Sequence, residues 1–347
     1  MFTFKPLLLG LLSTTLSPTT AAHPFKAYSV KVTQLYSFPP SNPIFLENAH
    51  RLPDNRLLVS SFSPNGSLYV FDPSKPPGTE PTIVTTFPNT TLQLGIVPLG
   101  NNKYAIATGL EGELVFIRGT GNIRIISLAP HSNVAKQLDV IPVPDTYILN
   151  GVIGLSGKQS HILLSADSSE GRILRTNILT GKTDVAFADP LLDSNNHPIL
   201  PLGVNGIKIR QGYLYFTNSG RGFFGRFRID KEGNAIGKIE VLHQLEGETG
   251  FSNAYDDFVL DERTGDAYVT WHDRSLVRIK SGSWKSETIV GKDRSANGNG
   301  NDDGEAVHLK APTALEWGRE GKGELFVTTA GLVNGTRVGG QLVRVDL

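Results

Sequence analysis

The sequence predicts an all-β chain, a single six-bladed β-propeller of four-stranded blades. A repeat of about fifty residues, the near absence of helical periodicity and a high turn content point to it. Six segments share one grammar: a polar or small residue, usually with Gly or Asp beside it, then alternating apolar positions, a turn and a β-rich run. The first is ENAHRLPDNRLLVSS from Glu47, the second LGIVPLGNNKYAIAT from Leu94 and the third NGVIGLSGKQSHILLSAD from Asn150. The fourth is NGIKIRQGYLYFTN from Asn205, the fifth DDFVLDERTGDAYVTW from Asp256 and the sixth TALEWGREGKGELFVTT from Thr313. Each is followed by a further apolar strand: LYVFD, ELVFI, RILRTN, FGRFRID, SLVRI and QLVRVDL. Turn pairs such as Asn65-Gly66, Thr180-Gly181 and Glu232-Gly233 separate the strands, in keeping with 37 Gly and 21 Pro in 347 residues. The stretch AYSVKVTQLYSF near the amino end is expected to add an outer strand to the last blade and protect its open edge.

Composition narrows the function classes. Lys plus Arg and Asp plus Glu are 33 each, so the formal charge is zero and a nucleic-acid partner is not expected. Cys is absent, which excludes disulfides, thiolate nucleophiles and Cys-ligated metals. Residues 1–22 read as a secretory signal peptide: Lys5 is followed by an apolar stretch at Leu7–Leu12 and by small residues at Thr20, Ala21 and Ala22. Residues 23–347 then form the propeller, and no later apolar run is long enough to span a membrane. Sequons at Asn65, Asn89 and Asn334 agree with a secreted glycoprotein.

Closure of a propeller gathers the residue that opens each blade. Glu47, Leu94, Asn150, Asn205, Asp256 and Thr313 are thereby expected around one mouth of the central channel. Two carboxylates and two amide carbonyls, Glu47, Asn150, Asn205 and Asp256, suit a divalent cation such as Ca, Mg or Zn. Asn-Gly and Asp-Asp are also ordinary turn pairs, so a purely structural role competes with the metal reading. Tyr255, Phe258, Trp271, His272, Phe223, Phe224 and Trp317 lie near these positions and offer rings for stacking or for the core. The pair His272-Asp273 reads as a solvated turn. The loop SANGNGNDDGEAV lacks the final Glu of a calcium loop and reads as a flexible entry to the last blade.

These residues resemble the senescence-marker-protein-30/gluconolactonase family of six-bladed propellers. The resemblance covers nearly the whole mature chain and rests on VNG at Asn205 and DDF at Asp256, with LNG at Asn150 the weaker piece. It implies a metal held by Glu47, Asn150, Asn205 and Asp256, with Asp256 as the general base of a lactonase. The chain departs from the hydrolytic pattern by Glu-Asn in the first repeat and Tyr-Asp-Asp in the fifth. More closely, ENxxxRxxxxLLVS, GVNGIxxxxGYLYFTN, DDFxxDxxGxAYVT and PTAxxWGR resemble a fungal secondary-metabolism branch of that superfamily. This branch includes hetero-Diels–Alderases that join a tropolone-derived quinone methide to a humulene-type alcohol, forming tropolonic sesquiterpenes.

The resemblance implies a cyclase acting on small hydrophobic metabolites without a required cofactor. Asp256 and Glu47 would be its catalytic groups, and Asn150, Asn205, Asp257, Tyr255 and Thr313 would line the substrate pocket. A metal-dependent lactonase and a non-catalytic secreted binding propeller are the alternatives, and the oligomeric state is not legible.

Overall fold

The computed structural model describes residues 30–62, 66–112, 115–291, 307–319 and 323–347. The signal-peptide segment, the sequon at Asn65 and nearly all of the loop after Val290 lie outside them. Within them the chain is almost entirely β, with one short 3-10 turn at Gly157–Gln159.

Of the 28 strands among the described residues, 24 fall into six antiparallel units of four and the other four form two short hairpins. Three units stand as separate four-stranded sheets that begin at Leu149–Gly154, Val204–Arg210 and Tyr255–Leu260. The first two units, beginning at Phe45–Arg51 and Leu92–Gly100, merge into one eight-stranded sheet through a single bridge between Phe62 and Leu92. The last unit holds Pro312–Trp317, Glu324–Thr329 and Gln341–Asp346, and its outer strand is Lys31–Ser37 from the other end of the chain. Lys31 pairs with Asp346 and Ser37 with Gln341, so the expected edge protection by the amino-terminal stretch is met.

First strands of successive units pack side by side, and Pro312–Trp317 packs back against Phe45–Arg51. Hydrophobic clusters lie between facing sheets, so the core is distributed around the molecule. No helix among the described residues is long and apolar enough to cross a membrane.

One local feature repeats in all six units. The pairing register of each first strand shifts across two residues: Glu47-Asn48, Leu94-Gly95, Asn150-Gly151, Asn205-Gly206, Asp256-Asp257 and Thr313-Ala314. These are β-bulges, which release two residues from the ladder and re-aim their side chains. A hydroxyl on the second strand serves the bulge. Ser60 Oγ accepts from the Asn48 amide at 3.0 Å and donates to Leu94 O of the next unit at 2.8 Å. Thr217 does the same for the Gly206 amide and Asp256 O, and Thr328 for the Ala314 amide and Glu47 O. Thr270 donates to Thr313 O at 2.9 Å.

Ala107 and Ala166 occupy this register in the second and third units, where no hydroxyl is available. There the strands approach through glycine instead. A Cβ on Gly95 would lie 2.8 Å from Asn150 O, and one on Gly151 would lie 2.5 Å from Asn205 O.

Replacing Thr328 by the isosteric Val should therefore strand the Ala314 amide and the Glu47 carbonyl together. We expect a loss of about 2–3 kcal/mol in urea denaturation, each unsatisfied buried group costing about 1–3 kcal/mol. The exposed Thr336→Val should leave the midpoint unchanged.

Candidate active site at the axial mouth

Bulge geometry brings residues from distant parts of the chain together. Asn48 Nδ2 in the first unit donates to Asp257 Oδ2 in the fifth at 2.9 Å, reaching past the sixth. Lys208 Nζ in the fourth unit is 2.6 Å from Asp257 Oδ1. The Phe258 amide also donates to Oδ1, at 2.8 Å. Such cross-unit contacts require the side chains to converge on a common axis.

Glu47 and Asp256 lie beside this group, both buried. No donor among the described residues reaches the Glu47 carboxyl. Burial, reinforced by the charges of Asp256 and Asp257, pushes its pKa well above the usual carboxylate range, so Glu47 favours its protonated form. Burial also raises Asp256, against the opposing effect of His272. His272 Nε2 stands 2.9 Å from Asp256 Oδ2, and its Nδ1 is 3.1 Å from Phe251 O. A carbonyl can only accept, so Nδ1 donates and Nε2 is left to share a proton with Asp256. The mouth thus holds Glu47, whose carboxyl burial pushes toward its protonated form, an Asp256–His272 pair that shares a proton, and Asp257 in an ion pair with Lys208.

The amides complete the rim. Asn205 Nδ2 donates to Ser219 Oγ at 2.9 Å, which fixes the side chain and leaves Oδ1 buried without a partner. Asn150 is buried at the equivalent position of the neighbouring strand, and its amide has no hydrogen bond among the described residues. Free amide and carboxyl oxygens at Glu47, Asn150, Asn205 and Asp256 fit a hard divalent cation in donor chemistry. Among the described residues no three Asp, Glu or His side chains group to hold a metal, so a cation would depend on the two amides.

Several expectations need correction. Tyr255 packs in the core with Phe224 and Phe258, and only 1% of its surface is exposed. The bulge begins one residue later, so Tyr255 stays paired with Trp271. Thr313 is fully buried, its hydroxyl donating to Leu46 O at 2.8 Å and lying 3.0 Å from Thr328 Oγ1. It holds two units together and does not line a pocket. Asp257 has all its strong partners within the protein. Phe223, Phe224 and Phe258 are core, while Trp271 Nε1 donates to Asn253 Oδ1 and Trp317 Nε1 to Leu260 O. His272 is no solvated turn; its imidazole is the partner of Asp256.

Sequence reading also passed over a polar group deeper along the axis. Of this group the sequence reading named Asp257 alone; Asn48 and Asp257 are the second residues of their bulges, His50, Lys208 and Glu316 lie two positions beyond theirs, and that period of two was the available signal. Glu316 Oε1 accepts from the Arg51 amide at 3.0 Å and lies 3.8 Å from His50 Nδ1. Burial raises Glu316 to about 7, whereas burial and the neighbouring Arg51 lower His50 to about 4.

Direct comparison finds a similarity to one named hetero-Diels–Alderase. The chain is 26% identical over 326 residues to the protein named "Putative hetero-Diels-Alderase asR5" of Sarocladium schorii, covering 83% of this chain and 75% of that one. No family model matches the sequence. Among solved structures, a luciferin-regenerating enzyme aligns with a TM-score of 0.61 at 14% identity, covering 92% of this chain and 96% of that one. An auxiliary nutrient binding protein from Bacteroides thetaiotaomicron aligns with a TM-score of 0.62 at 13% identity, over 91% of this chain and 76% of its own. The PQQ-bound aldose sugar dehydrogenase of Streptomyces coelicolor gives 0.56 at 13%, over 92% and 98%. At these identities the structural matches establish the fold type alone.

Glu316 generates a pH prediction. Its folded pKa lies above the unfolded value, so the folded state binds the extra proton between about pH 4.5 and 7 and loses stability as pH rises through that window. Glu316→Gln keeps the acceptor for the Arg51 amide and removes the penalty. The variant should gain stability over the parent on going from pH 5 to pH 8, by up to about 3 kcal/mol, in denaturant titrations at the two pH values.

Proposed function

We propose that the six units are blades of one closed propeller, and that the chain is a hetero-Diels–Alderase-like enzyme of fungal secondary metabolism. It would join a tropolone-derived quinone methide to a humulene-type sesquiterpene alcohol at the axial mouth. The similarity to asR5 supports this reading at family level, and one observation carries the chemistry. Glu47 is a buried acid whose pKa burial pushes well up and which no donor among the described residues reaches, beside an Asp256–His272 pair able to accept a proton. The leader at residues 1–22 and the sequons at Asn65, Asn89 and Asn334 would place the enzyme in the secretory pathway; Asn89 and Asn334 are exposed.

The reaction needs proton placement and exclusion of water more than covalent machinery. Glu47 gives its proton to the leaving hydroxyl of the precursor, and the Asp256–His272 pair takes the proton from the ring hydroxyl. Water departs and the quinone methide forms, with no net redox change. A protonated acid at the mouth then donates a hydrogen bond to the carbonyl oxygen of the heterodiene, which lowers the barrier to addition across the alkene. Carbon–oxygen and carbon–carbon bonds form together while three π bonds become one.

A second reading is favoured by the partnerless oxygen of Asn205 and the free amide of Asn150. Glu47, Asn150, Asn205 and Asp256 would then hold a divalent cation that polarises a lactone carbonyl, with Asp256 as base. Incubation with a hydroxylated tropolone precursor and the sesquiterpene alcohol separates the two. On the first reading Glu47→Gln and Asp256→Asn each slow adduct formation about 10²-fold or more, and a chelator has no effect. Lactone hydrolysis lost in chelator and restored by Ca²⁺, Mg²⁺ or Zn²⁺ would establish the second instead.

A further inference from the structure

Beside the acid group, one rim of the molecule carries large apolar side chains left exposed among the described residues. Phe251 is 56% exposed and Ile199 is 57% exposed, on neighbouring loops that lead into the fifth and fourth units. Both loops are built to hold their shape. Gly250 and Asn253 exchange backbone hydrogen bonds, which places Phe251 at the tip of a tight turn. Asn253 Nδ2 donates to Glu246 O and Glu248 O, while its Oδ1 accepts from Trp271. His197 joins the loops, since its Nδ1 accepts from the Leu200 amide at 2.9 Å and its Nε2 donates to Thr249 O at 3.0 Å. An exposed aromatic on a rigid turn loses little conformational entropy when a ligand covers it.

The turn is also joined to the chemistry. Phe251 O accepts from His272 Nδ1 at 3.1 Å, and the same imidazole contacts Asp256. Two hydrogen bonds therefore separate the Phe251 backbone from the buried acid.

We propose that Phe251, with Ile199 on the loop that His197 ties to its own, is the specificity-determining contact for the apolar body of the substrate, and that His272 positions this turn relative to Asp256. The proposal rests on the reading of the mouth as the active site. The class it selects is an oxygenated hydrocarbon of terpenoid size, since a purely polar metabolite would gain nothing from two bare hydrophobic side chains. No bond is made or broken at Phe251. Its contribution is uniform binding, which appears in KM more than in kcat.

Titration with farnesol, a C15 alcohol, followed by calorimetry tests the contact, with steady-state cycloaddition as the second readout. Phe251→Ala should weaken farnesol binding and raise KM for the sesquiterpene alcohol roughly tenfold, as fits partial loss of one apolar contact, with kcat nearly unchanged. Phe251→Leu should recover most of the loss, and the neighbouring Ser252→Ala should change neither value. Cycloaddition by Phe251→Ala with parental KM and parental farnesol affinity would overturn this inference and leave the function standing. Farnesol binding that weakens in Phe251→Ala, in a protein that forms no adduct, would keep the apolar contact and overturn the function. Absence of farnesol binding by the parent protein would overturn the inference outright.

Discussion

The two-residue bulge near the start of every first strand is the constraint on which the rest depends. An uninterrupted ladder would leave each of these residues facing a neighbouring sheet. The bulges bring Asn48 and Asp257 from distant units into contact, and the amides they free need new partners. Ser60, Thr217 and Thr328 supply it while donating onward to the next unit, so one hydroxyl closes two requirements. Where alanine replaces the hydroxyl, Gly95 and Gly151 allow backbone to approach backbone. Site construction and attachment between sheets are thus a single structural event.

Bringing acids onto one axis raises an electrostatic problem, and the structure solves it in three different ways. Asp257 is paired with Lys208 and accepts a hydrogen bond from the Asn48 side-chain amide. Asp256 is balanced by His272. Glu47 and Glu316 hold their protons more strongly because burial disfavours the charge. A fully ionised set would repel itself and draw water into the mouth. Unequal treatment of similar carboxyl groups is what gives them distinct chemical roles.

Much of the β architecture was legible because a repeat is a statement about the whole chain. Six segments of like grammar gave the units, and the surplus strand at the amino end pairs with Gln341–Asp346. The opening positions were legible too, since alignment alone put Glu47, Asn150, Asn205 and Asp256 in register. Tyr255 and Thr313 were misread because one position decides whether a side chain enters the core, the axis or the contact between units. His272 was misread for another reason. It follows the second strand of its unit, outside the aligned column, and only the return of the 246–253 loop gives it a role.

The order of strands, the bulge positions and the chemical types at the mouth are properties of the sequence, because hydrophobic alternation and turn residues act over a few neighbours. Tertiary structure alone decided which carboxyl burial lifts and which is paired with a cation. Those outcomes depend on desolvation and on contacts between residues more than two hundred positions apart, such as Asn48 with Asp257. No local pattern encodes a distance of that kind.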